Sequence, residues 1–194
     1  MHGDELQALR RALALPRPEP VATSGVAAAV LVPIFERDGD LHLLYTTRSP
    51  ALPTHAGQVS FPGGRHAPSD GSLLATALRE THEEIGLSAG DVDVLGRLDP
   101  IHTFSSNFLI TPFVGRIPYP HALTIDAREV DDVFSMPLRV LFDPATTVAE
   151  TWTIEGRAIP VTAYRHGART IWGATQRITA SLLDLVLAIR AGQD

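Results

Sequence analysis

The sequence predicts an α/β layered domain, and three observations carry that expectation. Apolar and β-branched runs of strand length recur along the chain, with helical periodicity at its start, middle and end. A chain of 194 residues, 44% of them hydrophobic, is long enough to bury one core without cross-links.

Residues 4–15 place Leu6, Leu9 and Leu13 on a helical period. Pro16, Pro18 and Pro20 break it, so residues 1–20 are expected to form a helix and a proline-rich connector on a single domain spanning 1–194. The run 26–35 predicts a buried strand, Asp38-Gly39-Asp40 a turn, and 41–47 the second arm of a hairpin. Residues 49–68 are too rich in proline and glycine for a regular element and predict a long functional loop. Ser72 caps a helix running to Ile85, and Gly86 sits where a left-handed C-cap belongs. Runs at 92–98, 108–117, 151–154, 158–164 and 170–172 predict strands, and 130–142 a short helix and its exit. Apolar residues at 178, 182, 183, 185, 186 and 189 predict an amphipathic helix over 175–190.

Composition narrows the function. Charged residues make up 20% of the chain and the formal net charge is −6, which argues against sequence-independent nucleic-acid binding. An anionic small-molecule substrate stays open, because a metal ion and a few arginines reverse the sign locally. The absence of cysteine excludes disulfides, thiolate zinc sites and a cysteine nucleophile. With no lysine in the chain, a Walker-type phosphate loop and Schiff-base chemistry are excluded too. Asp4 and Glu5 precede any apolar run, unlike a signal peptide, and the apolar stretch 25–35 is about a third too short for a bilayer. These features predict a cytoplasmic protein with no membrane partner; monomer and homodimer both stay open.

The informative segment is 57–87. In the string from Arg79 to Leu87, Glu80, Glu83 and Glu84 stand at i, i+3 and i+4 on one helix face. Three carboxylates this close disfavour one another's charge, and Arg79, four residues before Glu83, neutralises only one of them. A solvated acidic face is the plain alternative; a divalent cation is the chemical one, and hard oxygen donors suit magnesium or manganese. Upstream, Phe61-Pro62-Gly63-Gly64 offers glycines that let backbone approach a ligand closely.

Gly64, Arg79, Glu80, Glu83, Glu84, Gly86 and Leu87 resemble the Nudix box, GX5EX7REUXEEXGU with U aliphatic. Three departures stand out: Arg79 falls one residue late, Asp70 stands where the box has its upstream Glu, and Thr81 replaces an aliphatic residue. The single insertion, the segment Leu44-Tyr45-Thr46-Thr47-Arg48-Ser49, then Leu52, and the run from His55 to Gly64 are similar to the coenzyme A pyrophosphatase subfamily. That subfamily often has a basic residue after the leucine matched by Leu52, where this chain has Pro53-Thr54.

The resemblance implies an α/β/α sandwich with a mixed sheet. It implies hydrolysis of the pyrophosphate of coenzyme A (CoA) or its derivatives to 3′,5′-ADP and 4′-phosphopantetheine, with Mg2+ or Mn2+ as cofactor. Glu80 and Glu84 would be metal ligands, Glu83 a ligand or water-orienting base, and Gly64 a carbonyl ligand. Arg79 would hold Glu83. Glu129 resembles the extra acid that many Nudix enzymes bring from a distant loop, and equally fits a charge at a helix N-terminus. Arg48 is the candidate phosphate contact, with Ser49, Gln58, Phe61, Gly63 and Arg65 as further substrate contacts. His55 and His66 fit phosphate contacts or loop caps, and His82 lies off the acidic face. Trp152, Trp172 and Tyr164 fit apolar packing better than stacking on a base. Competing readings are a Nudix hydrolase of ADP-ribose or another dinucleotide, and a catalytically silent nucleotide-binding module.

Overall fold

The centre of the sheet is two apolar runs joined at Asp38-Gly39, where both residues adopt positive φ as a two-residue hairpin turn requires. A computed structural model describes residues 2–15, 25–103, 106–119, 122–154 and 156–192. The proline connector expected at 16–20 lies outside them. In chain order the elements are α1 (His2–Leu13), β1 (Val26–Arg37), β2 (Asp40–Arg48), β3 (Val59–Ser60), β4 (Gly63–Arg65) and α2 (Leu73–Ile85). There follow β5 (Asp93–Arg97), β6 (Ile101–His102), β7 (Phe108–Arg116), β8 (Val130–Pro137) and α3 (Leu138–Leu141). The last are β9 (Thr147–Ile154), β10 (Arg157–His166), β11 (Arg169–Ile171) and α4 (Gly173–Ala191).

The large sheet runs β3-β2-β1-β7-β5, with β4 on β1, β6 on β7 and β8 on β2. It is mixed: β1 runs parallel to β7 and antiparallel to β2 and β4. Strand alternation sends successive side chains of β1 and β2 into different cores. Leu31, Phe35 and Leu44 pack with Ile85 and Leu87 on the α2 side. Val32, Ile34, Leu41, Leu43 and Tyr45 pack with Leu9 of α1 and Leu182 of α4 on the other. Because β1 is covered on both faces it carries a continuous apolar run. Helices on both sides of a mixed sheet make the expected α/β/α sandwich. A second sheet, β11-β10-β9, is antiparallel throughout. Arg169 on β11 ties it to the large sheet through Thr47 of β2 and Asp132 of β8.

Two expectations are corrected. The helix expected over 130–142 is strand β8 followed by the single turn α3. Val130, Val133 and Phe134 fit a helical spacing, but β2 offers an open edge and β8 pairs along it from His42↔Pro137 to Arg48↔Val130. Cross-strand pairing of β-branched residues outweighs the local period there. The long loop 49–68 also contains β3 and β4, two and three residues long, docked on β2 and β1. Elements that short leave no periodic signal.

Candidate active site

Helix α2 starts where the Ser72 hydroxyl accepts the Ala75 N–H (3.1 Å) and ends at Gly86, left-handed at φ 72°. Between these ends, Thr76, Ala77, Thr81 and Ile85 face the sheet, and Glu84 is drawn in with them. The three glutamates share a face but not an environment. The side chain of Glu83 is 54% exposed and that of Glu80 16%, while residue Glu84 as a whole is 3% exposed.

Arg79 joins more partners than its i+4 spacing predicts. Its Nη1 donates to Glu83 (2.8 Å) and its Nη2 lies 2.8 Å from Glu80. Its Nε and Nη2 both donate to Asp70, at 2.7 and 3.1 Å. Asp70 also accepts the Ala67 N–H (3.0 Å) and the Thr76 hydroxyl (2.8 Å). The single hydroxyl proton of Thr76 goes to Asp70, so its oxygen accepts from His66 Nδ1 at 2.7 Å. Asp70, at the position of the missing box glutamate, therefore fixes the guanidinium that orients two of the three acids.

Hydrogen bonds from Arg79 first, then from the Ala67 N–H and the Thr76 hydroxyl, hold the Asp70 carboxyl well below the usual range. A carboxyl whose folded value is depressed stabilises the fold above its unfolded value and loses that contribution as pH falls. Asp70→Asn is therefore expected to flatten the loss of stability on acidification below about pH 4. The same variant is expected to lower turnover about 10- to 100-fold by freeing Arg79. Thermal melts at several pH values check the first effect and steady-state kinetics the second.

Strand β4 supplies the floor. Gly63 N–H donates to Glu84 Oε2 at 3.3 Å. Gly64 lies so close to α2 that a Cβ there would stand 2.5–2.7 Å from the Glu80 carboxylate. Burial pushes Glu84 up to about 8, eased by Arg48 and the Gly63 N–H and reinforced by the charges of Glu129 and Glu80. Burial likewise raises Glu80, against the pull of Arg79. The protein alone thus undercompensates its two inner carboxylates.

Arg48 ends β2 at an irregularity in its pairing with β8, and its charge acts on Glu84. Among the described residues, Arg48 Nε and Thr111 Oγ1 are buried without a hydrogen-bond partner. Ser49 N–H donates to the Glu129 carbonyl (2.9 Å), which anchors the turn before β8 beside α2. The N–H groups of Thr124 and Asp126 cap the Ile85 and Glu84 carbonyls, so the same loop closes the end of the helix. Glu129 precedes a strand, so the helix-terminus reading is corrected, while its charge reaches both Glu80 and Glu84.

Other candidates fall elsewhere. Phe61 is 3% exposed and stacks on Tyr45 (4.7 Å between centroids), so it is corrected from a substrate contact to a core residue. Arg65 is exposed, and strand alternation points it away from the side of Gly64 that meets Glu80. Gln58 pairs with His55 (3.0 Å) and Tyr164 is buried in the core on the α1–α4 side. His82 is exposed. The clamp Asp70–Thr76 escapes sequence reasoning because its geometry depends on the turn at Pro68–Asp70; the one signal was an acid at the box position.

Among the described residues no group of three or more His, Asp or Glu side chains is arranged as a ready cage for a metal ion. The donor set nevertheless fits a hard divalent cation: two raised carboxylates, a third within a turn, and backbone brought close at Gly64.

The chain is similar to known proteins over most of its length. The family model described as NUDIX domain matches residues 25–153. An "Uncharacterized Nudix hydrolase NudL" of Photorhabdus laumondii is 37% identical over 171 residues, covering 88% of this chain and 90% of that protein. The human "Mitochondrial coenzyme A diphosphatase NUDT8" is 38% identical over 165 residues, covering 82% of this chain and 69% of that protein. The solved structure of a MutT/nudix family protein from Enterococcus faecalis superposes with a TM-score of 0.61 at 14% identity, covering 97% of this chain and 75% of that one, a likeness of fold.

Proposed function

The chain belongs to the Nudix family, and on that premise we propose that it is a single-domain, cytoplasmic CoA diphosphatase, acting alone or as a homodimer. It hydrolyses CoA or its derivatives to 3′,5′-ADP and 4′-phosphopantetheine or its acyl form. The observation that carries this reading is the pairing of two features. Glu84 is a buried and Glu80 a partly buried carboxylate, both held above their usual range, and Arg48 beside them has a buried Nε with no partner. A pyrophosphate with a divalent cation answers both needs. The similarity to the human CoA diphosphatase over most of this chain supports CoA as the substrate.

Glu80 and Glu84, with Glu83 and the Gly64 carbonyl, would hold Mg2+ or Mn2+, which supplies charge neutralisation on the pyrophosphate and a more acidic bound water. The chain's own residues do the rest. Arg48 donates to a phosphate oxygen, where a planar fork suits a charged acceptor. Glu83 or Glu129 accepts a proton from the attacking water; coupled carboxylates share that titration. Water adds to one phosphorus, the bridging P–O bond breaks, and each product keeps one phosphate of the pyrophosphate, 3′,5′-ADP retaining its 3′-phosphate as well. Arg79, fixed by Asp70, keeps Glu80 and Glu83 oriented.

Product analysis with CoA, ADP-ribose and NADH in the presence of magnesium tests the reading. Release of 3′,5′-ADP from CoA, stopped by a chelator, is the expected result. Cleavage of ADP-ribose alone keeps the hydrolase and discards the CoA assignment. Turnover of none discards the enzyme.

A further inference from the structure

A cleft of about 270 Å³ opens between the end of the long loop and the second sheet. Thr47, Gln58, Trp152, Arg165, Arg169 and Trp172 line it. It adjoins the candidate active site through one residue. Arg48 N–H donates to the Gln58 carbonyl (2.9 Å) and its own carbonyl accepts from Gly57 (3.0 Å). The loop that walls the cleft is thus hydrogen-bonded to the backbone of the residue whose guanidinium acts on Glu84.

The walls are held in place. The Glu150 carboxylate accepts both Arg165 Nη groups (3.0 and 3.1 Å) and Trp152 Nε1 (2.8 Å). Arg169 donates to Thr47 and Asp132 and lies over the Phe134 ring at 4.4 Å. Each arginine in the cleft therefore already carries a carboxylate, and a phosphate would gain little by displacing one. What remains on offer is uncharged: two indoles, the Gln58 amide NH2, whose oxygen is paired with His55, and the hydroxyls of Thr170 and of Thr47, the latter already accepting from Arg169. The indoles meet edge to face at 61°, with centroids 5.2 Å apart, forming an apolar corner and not a parallel-sided slot for a base.

We propose that this cleft holds the uncharged, amide-bearing arm of the substrate, leaving the phosphates to Arg48 and the α2 carboxylates. The inference rests on CoA being the substrate, and its test is separable from that reading. Trp152 and Trp172 are the only tryptophans in the chain, so intrinsic fluorescence reports on the cleft without a label.

The experiment titrates the unmodified protein, without metal, with pantetheine, with 3′,5′-ADP and with CoA. A saturable change with pantetheine and CoA, and none with 3′,5′-ADP, is expected. A response to 3′,5′-ADP matching that to CoA puts the nucleotide half in the cleft and overturns the proposal, as does silence to pantetheine. The pantetheine result decides the matter even if CoA proves not to be hydrolysed. In kinetics, Trp152→Ala is expected to raise KM for CoA about tenfold with kcat little changed. KM for ADP-ribose, which lacks the arm, should stay as it is; an equal rise for both overturns the proposal.

Discussion

Glu80→Gln and Gly64→Ala are both expected to yield a folded protein whose kcat is lowered about 100- to 1,000-fold. The first removes the charge of a carboxylate that burial and neighbouring acids already strain. The second leaves the charge and takes its place: a Cβ on Gly64 would stand 2.5–2.7 Å from the Glu80 carboxylate, which must swing away. The obstructed group is the end of a flexible side chain, so the fold yields locally. Melting temperatures close to wild type with collapsed turnover are the expected pair of readings. A Glu80→Gln protein that turns over CoA at near wild-type rate would remove Glu80 from the metal-ligand set. Full activity in Gly64→Ala would show that Glu80 works from another position.

The neighbouring glycine should behave in the opposite way. Gly63 sits at φ 149°, and a Cβ there would meet the Ala29 carbonyl at 2.3 Å and Val30 Cα at 2.5 Å. Both obstructions are backbone of the central strand, and neither can rotate aside. Gly63→Ala is therefore expected to cost roughly 3 kcal/mol or more, combining strained φ with overpacking. For a chain of this size that corresponds to a fall of roughly 10 °C in melting temperature. Calorimetry or a thermal melt followed by circular dichroism checks it. An unchanged melting temperature would show that β4 detaches from β1 without consequence. Two adjacent glycines thus separate stability from activity.

Much of this arrangement is legible in the sequence, because its parts are local. The carboxylate face of α2 follows from the spacing of Glu80, Glu83 and Glu84, and the helix ends follow from Ser72 and Gly86. The hairpin of β1 and β2 follows from apolar runs around Asp38-Gly39. What the sequence hides is non-local. Strand β8 looks helical until the open edge of β2 is known. Phe61 looks available beside two glycines until its ring is found against Tyr45. Arg165 and Arg169 belong to no motif, and they join Gln58 only because the second sheet folds back over Thr47. The partners of Arg79 are half legible: Glu83 by helical spacing, Asp70 only through the turn that precedes α2.

The parallel pairing of β1 with β7 also sets the order in which the chain can fold. Val26 pairs with Phe108 and Ile34 with Arg116, so the central strand waits for a neighbour that leaves the ribosome about eighty residues later. Until then its apolar length has only β2 and the three residues of β4 along its edges. Pairing across so long a loop is slow relative to hairpin closure. The nascent chain therefore passes through a stage in which the strand that carries the core is its most adhesive segment. Truncated chains ending before residue 108 should aggregate, and those extending past 116 should begin to protect β1 from proteolysis.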